Sequence, residues 1–218
     1  MHAQRLTIER ARDERARTAF FLLKAERYTA LDFLTNEECP QGQASDKFDE
    51  HAVHFLVFSD DDKHKNITGA FRLVTHSEHG LPVTEVFTFN DPNIPIREFF
   101  EVSSLLTRRK GGFVKGVGRG HFIRSIIVPA LCYSIAFTER NGYRGFVTMI
   151  DPELFGCVNR NCCNILQPVP GHAPTFYRGG WLIPTYVTTE HFEKSGVKEL
   201  DVVRTYLDRI DPLDVLMS

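Results

Sequence analysis

Apolar residues recur along this chain in two different rhythms. Over residues 8–34 they return at helical spacing. Phe20, Leu23, Arg27 and Leu31 share one stripe, which Leu22, Ala25 and Ala30 widen, so a long helix is expected there. The polar segment 35–47, which holds Pro40 and Gly42, reads as a loop. The period then shortens. Residues 52–58 (AVHFLVF) and 68–74 (TGAFRLV) are short apolar runs, separated by a polar segment that starts at Ser59. That is the pattern of an antiparallel hairpin. A further strand is expected over 84–89, before the turn at Asn90, Asp91 and Pro92, and another over 99–106.

A basic, Gly-rich stretch at 108–120 leads into an apolar segment, 121–141, expected as a long helix kinked at Pro129 and stopped at Gly142. Residues 145–150 read as a buried strand. Asp151 then supplies an N-cap, and Pro152 the first position of a short helix. The last third alternates again, with strands at 181–183 and 186–187 and a helix over 197–210. No repeat or linker interrupts the order, so residues 1–218 are expected to form one domain. Helix, antiparallel strands, helix, strand, helix and strands together indicate an α/β (α+β) fold with a mixed sheet covered by helices.

Composition narrows the function. With 26 Lys+Arg against 28 Asp+Glu, the net charge of −2 argues against nucleic acid as a partner. No window approaches the roughly 20 apolar residues of a membrane span. The first residues, Met1 to Arg5, lead into charged sequence rather than a signal core, and five Cys suit reduced thiols better than a disulfide framework. A cytoplasmic protein is expected.

Two ionisable residues fall inside strand patterns. Arg72 lies between Phe71 and Leu73, and Glu101 between Phe100 and Val102. Either each faces solvent, or both are buried and need partners, because an isolated buried charge costs several kcal/mol. Asp46 and Asp49 stand just upstream. They could hold a substrate ammonium, fix Arg72, or be solvated acids before a strand. Arg108, Arg109 and Lys110 with the following glycines form a weak anion cradle. A metal site is not expected. His51 and His54 point to opposite faces of a strand, and Cys157, Cys162 and Cys163 lack a zinc spacing, so these are read as core or surface thiols. No catalytic Ser or Cys signature is present, so chemistry is expected by direct attack of one bound substrate on another.

The segment 46–109 resembles the GNAT-fold N-acyltransferases that include acyl-homoserine-lactone (autoinducer) synthases and long-chain N-acyl amino acid synthases. Their D-x-[YF]-D motif corresponds to Asp46, Lys47, Phe48 and Asp49, and their G-x-x-R-[LV] strand to Gly69 through Leu73. Their E-x-S-R element corresponds to Glu101, Val102, Ser103 and Ser104, and an N-terminal L-R-x-x-V-[YF] element to Leu23 through Tyr28. Ser104 stands where the autoinducer synthases have Arg, and Lys24 where the family usually has Arg. Loss of the Arg weakens the case for S-adenosylmethionine and a lactone product.

The resemblance implies a mostly antiparallel sheet, splayed in the middle and covered by helices on both faces. It implies transfer of a fatty acyl group from a phosphopantetheine thioester, carried by acyl carrier protein or CoA, to a small amine. Autoinducer synthesis from S-adenosylmethionine, or an inert domain binding an acyl carrier, are the alternatives. Glu101 would accept the ammonium proton, with Arg72 positioning it and Ser103 beside it. Asp46 and Asp49 would meet the acceptor, in a site with Lys24 and Tyr28. Backbone N–H groups over Val102, Ser103, Ser104 and Leu105 would hold the thioester oxygen. Arg108, Arg109 and Lys110 would meet the phosphate or the carrier protein. No tightly bound cofactor is implied.

Overall fold

The protein is described by a computed structural model covering residues 6–59, 66–108 and 126–215. Eight strands are described: β1 (Leu6–Arg10), β2 (Ala52–Ser59), β3 (Asn66–Val74), β4 (Phe99–Thr107), β5 (Gly145–Ile150), β6 (Gln167–Pro168), β7 (Thr175–Tyr177) and β8 (Gly180–Thr188). The helices are α1 (Glu14–Thr29), α2 (Val128–Asn141), α3 (Pro152–Asn161), α4 (Thr189–Lys194) and α5 (Asp201–Leu207). The sheet order is β1-β2-β3-β4-β5-β8-β6, with β7 paired to β8. Every neighbouring pair is antiparallel except β4 and β5, which run parallel.

That parallel pair is short. Phe99, Phe100 and Glu101 pair with Gly145, Phe146 and Val147, and the register ends there although both strands continue. The sheet therefore splays beyond Glu101. β4 is also irregular on its other edge. Arg72 is opposite Ser103 and Ala70 opposite Leu106, so two residues of β4, Ser104 and Leu105, face one of β3. Ser104 takes a left-handed φ of 52° at this bulge. The extra residue restores alternation, so Leu106 packs with Ala70, Leu56 and Phe58 beneath Phe20 and Leu23 of α1. On the opposite face, Phe55, Phe71, Phe100 and Val102 pack against α2. Helices thus cover both faces, as the resemblance implied.

Several expectations are corrected. Residues 6–10 are not helical but pair with β2, with Ile8 opposite Val57. Leu6 and Ile8 pack on the main core, so tertiary pairing overrides the local pattern. Helix α1 starts after Asp13, whose carboxylate accepts from the Ala16 N–H at 2.7 Å. It ends at Thr29, short of the predicted 34. Residues 84–89 form no strand. Pro82–Glu85 is a 3₁₀ turn, which Pro82 favours because it has no N–H to give to a ladder. Pro129 is the second residue of α2 and follows a π-helical turn at Ile126 and Ile127, and the earlier part of this expected helix, 121–125, lies outside the described residues. Residues 181–183 and 186–187 belong to one strand, β8. The last predicted helix is a 3₁₀ turn at Val197–Glu199 followed by α5. The Asp151 cap, Pro152 and the left-handed Gly142 are where the sequence put them.

Candidate active site

Strand register builds the site. His54, Arg72 and Ser103 lie opposite one another on β2, β3 and β4, and Glu101 lies two residues before Ser103. Leu56 and Ala70 face α1, and Arg72, two residues after Ala70, points under that helix, where it cannot reach bulk water. Its side chain is 4% exposed. The solvent-facing reading of Arg72 is therefore wrong, and so is that of Glu101, which is fully buried.

Arg72 is held from three sides. Its Nε donates to Ser103 Oγ at 3.0 Å, one Nη to Asp46 at 2.9 Å, and the same Nη to Asp49. Lys24 of α1 donates to Asp46 at 2.7 Å and to Asp49 at 3.2 Å. His54 Nε2 shares a 2.9 Å hydrogen bond with Asp49, while Phe20 and Phe21 stand edge-on to its ring. Burial pushes both carboxyl pKa values up, but the His54 contact at Asp49 and the cations Arg72 and Lys24 outweigh it. Both carboxylates stay below their ordinary range. Burial, with Arg72 as a like charge, lowers the Lys24 pKa, and burial lowers that of His54. Lys24 and Arg72 are therefore balanced by buried Asp49 and by Asp46, which keeps a solvent-accessible side.

Glu101 is bound differently. Its Oε2 accepts the Val83 N–H at 2.6 Å, presented by the Pro82–Glu85 turn. Its Oε1 is buried and has no hydrogen-bond partner among the described residues. Burial raises the Glu101 pKa to about 8, only partly offset by the Val83 N–H and the Arg72 charge. Arg72 directs its hydrogen bonds to Asp46, Asp49 and Ser103, so the direct positioning of Glu101 by Arg72 is replaced by the Val83 turn.

A cavity of about 500 Å³ opens where β4 and β5 part. Its polar end is lined by Lys24, Asp46, Arg72, Glu101 and Ser103. Elsewhere the wall is largely apolar, with Leu31, Phe33 and Leu34 after α1, Met149 and Ile150 of β5, Leu154 of α3, and Trp181 and Leu182 of β8, interrupted by Arg27, Glu38, Glu85, Asp151, Glu153 and Arg178. The β7–β8 turn closes one side against the segment after α1, with Arg178 donating to the Phe33 carbonyl at 3.5 Å. Tyr28 and Ser104 line the wall together, their hydroxyls 3.2 Å apart, and burial raises the Tyr28 pKa. Volume and lining fit a small-molecule site with a few convergent polar groups.

Of the residues singled out in the sequence, Lys24, Tyr28, Asp46, Arg72, Glu101, Ser103, Ser104 and Leu105 meet on this cavity. Asp49 and Val102 do not line it. Asp49 is the inner partner of Lys24, Arg72 and His54, and the Val102 side chain packs in the core beneath α2. Arg108 is exposed, 3.8 Å from Glu26, and does not line the cavity. Arg109 and Lys110 lie outside the described residues. His54 and the Val83 N–H escaped the sequence reading. The register of His54 with Leu56 and Phe58 was the available signal, whereas nothing local marks Val83. The cysteines are free thiols, and no group of His, Cys, Asp or Glu among the described residues is arranged to hold a metal.

No protein-family profile matches the chain, and no curated protein is similar to it in sequence. Solved structures are similar in shape. FeeM, an N-acyl amino acid synthase from uncultured soil microbes, superposes with a TM-score of 0.58 at 12% identity, over 88% of this chain and 96% of its own. The acyl-homoserine lactone synthase LasI gives 0.58 at 10% identity, over 85% and 91%. The CoA-dependent acyl-homoserine lactone synthase BjaI gives 0.57 at 14%, over 94% and 99%. The chain therefore has the fold these synthases share, along nearly its whole described length.

Proposed function

We propose that this protein is an N-acyltransferase. It moves a fatty acyl group from a phosphopantetheine thioester, on acyl carrier protein or CoA, to the amine of an amino acid or similar small acceptor. The observation that carries this reading is the junction at the end of the β4–β5 pairing. There the buried Glu101 carboxyl, with one oxygen lacking a hydrogen-bond partner among the described residues, lines a cavity whose far wall is largely apolar. The fold supports it. FeeM is an N-acyl amino acid synthase, and BjaI has been solved with SAM and isopentyl-CoA.

In this reading the acyl chain lies along Leu31, Leu154 and Leu182, and the thioester beside the unpaired stretch of β4. The acceptor enters as an ammonium ion beside Asp46. Glu101 takes one proton from it, directly or through water, and the free amine attacks the thioester carbonyl carbon. The C–N bond forms, the C–S bond breaks, and the thiolate leaves and takes up the second amine proton. Proton transfer of this kind contributes about 10²–10⁴ in rate. A backbone N–H near Ser103–Leu105 holding the oxyanion contributes about 2.7–4 kcal/mol. Ser103, fixed by Arg72, shapes the floor, and Arg108 with Arg109 and Lys110 steers the donor's phosphate or its carrier protein.

The test is mass spectrometry of organic extracts from cells overproducing the protein, beside a Glu101→Gln control. A new N-acyl amino acid that vanishes in the control supports the reading. An acyl lactone would move the assignment to autoinducer synthesis. No new lipid, together with unaltered binding of acyl donor by both proteins, would indicate a binding domain without catalysis.

A further inference from the structure

The turn that holds Glu101 is itself held by one hydroxyl. Val83 gives its N–H to Glu101 Oε2 at 2.6 Å from the 3₁₀ turn Pro82–Glu85. Apolar packing seats one side of this turn. Leu81, Val83 and Phe87 pack with Phe48, Phe99 and Val147, and Val147 is the residue opposite Glu101 where β4 and β5 pair. Thr84 closes the turn from within. Its Oγ1 donates to the Leu81 carbonyl at 2.6 Å and accepts the Leu81 N–H at 3.3 Å, so one hydroxyl grips both backbone polar atoms of residue 81. Room for it depends on Gly80, which has a φ of 74° and where a Cβ would lie 2.8 Å from Thr84 Oγ1. The backbone closes this turn without the hydroxyl, because the Thr84 N–H reaches the Leu81 carbonyl at 2.9 Å and the Val86 N–H the Val83 carbonyl at 3.2 Å. What the hydroxyl adds is orientation of the Leu81 peptide. Pro82 holds its own φ at about −65°, so few torsions remain free between that peptide and the Val83 N–H.

We propose that Thr84 is a positioning residue for Glu101: its hydroxyl fixes the Leu81 peptide, Pro82 carries that orientation forward, and the Val83 N–H is thereby aimed at Oε2. For its effect on turnover the inference rests on the acyl-transfer reading above, with Glu101 as the base. A hydrogen bond from a backbone N–H favours the ionised carboxylate over the acid. A well-aimed Val83 N–H therefore makes the basic form of Glu101 available at lower pH, and a misaimed one withholds it. With Oε2 engaged, Oε1 is left to take the acceptor's proton. The charged groups that act on the Glu101 carboxyl are Arg72 of β3, Asp46 before β2 and Glu85 at the end of the turn. Glu85 is paired with Lys47 at 2.8 Å. Replacing Thr84 by Val leaves all four in place, so a change in the titration of Glu101 reports the hold of the Val83 N–H.

The experiment has one reading that needs no turnover and one that does. Wild type, Thr84→Val and Thr84→Ser are labelled with carbon-13 at the glutamate side-chain carboxyl, and the Glu101 resonance is assigned by its absence from Glu101→Gln. Its titration midpoint is followed by NMR. Release of free CoA from a long-chain acyl-CoA, with a mixture of the common L-amino acids as acceptor, gives kcat/KM against pH. In Thr84→Val the midpoint is expected to rise by about one pH unit, the range of a weakened charge-assisted hydrogen bond, and Thr84→Ser to restore it. The break in kcat/KM moves with it, so activity below the break falls about tenfold while the plateau above it stays that of wild type. An unmoved midpoint in Thr84→Val overturns the proposal. So does a lowered plateau at an unmoved midpoint and break, which a loosened fold alone would give. Where Thr84→Val does not accumulate as folded protein, Thr84→Ala is judged by the same two readings. A midpoint that rises without turnover in any protein, or without moving the break in kcat/KM, sustains the role of Thr84 and overturns Glu101 as the base.

Discussion

Replacing Glu101 by Gln removes one negative charge and leaves the shape and the Val83 N–H acceptor in place. The consequence follows from burial. An ordinary glutamate titrates at 4.5, and in the folded protein Glu101 titrates at about 8. The folded state therefore holds its proton over a range where the unfolded chain has lost it. Stability from this group is fully present below pH 4.5 and is lost as pH rises through 8. Between pH 5 and pH 8 the loss integrates to about 3.5 kcal/mol, at about 1.36 kcal/mol per pKa unit. The variant cannot titrate, so its stability relative to wild type rises by about that amount over the same interval. Asp46, Asp49, His54 and the other titrating groups are common to both proteins and cancel in the difference. Urea unfolding at pH 5, 6, 7 and 8 measures it. Parallel profiles for the two proteins would show that Glu101 is not the buried, proton-holding carboxyl described here. The same titration governs turnover. The base is the deprotonated form, so kcat/KM in wild type is expected to climb nearly tenfold per pH unit below 8 and level off above it. In Glu101→Gln it falls by about 10²–10⁴.

Arg72→Met strips Asp49 of one of its two cations and should cost about 3–5 kcal/mol in urea unfolding; a variant as stable as wild type would refute the buried network. Asp49 and Asp46 contribute stability that is present above the ordinary carboxylate range and lost as pH falls through their lowered values. His54→Gln weakens the hold on Asp49, so its acid-unfolding midpoint, followed by circular dichroism, should move to higher pH. Gly145→Ala places a methyl 1.9 Å from the Val187 carbonyl oxygen, a backbone atom that cannot yield without opening the β5–β8 pairing. That variant is expected to lose several degrees in thermal midpoint or fail to accumulate as soluble protein, and wild-type behaviour would contradict the described register.

Period and punctuation in the chain were enough to mark β2, β3, β4, β5 and the Asp151-capped helix, because each is a local pattern of apolar residues bounded by a turn or cap. The short motifs around Asp46, Arg72 and Glu101 likewise pointed to one fold, which the superpositions bear out. Other features were not local. β1 is a strand only because β2 offers an edge to it, and residues 84–89 lose their strand pattern to a turn that serves a carboxylate sixteen residues beyond Glu85. Strand order, the end of the β4–β5 register and the bulge at Ser104 decide which side chains share the cavity. They set Asp46 on its wall and Asp49 off it, though both belong to the same motif. They also carry Arg27, one member of a helical stripe, to the cavity wall. A sequence records which residues could be buried charges; only packing determines which of them another part of the chain neutralises.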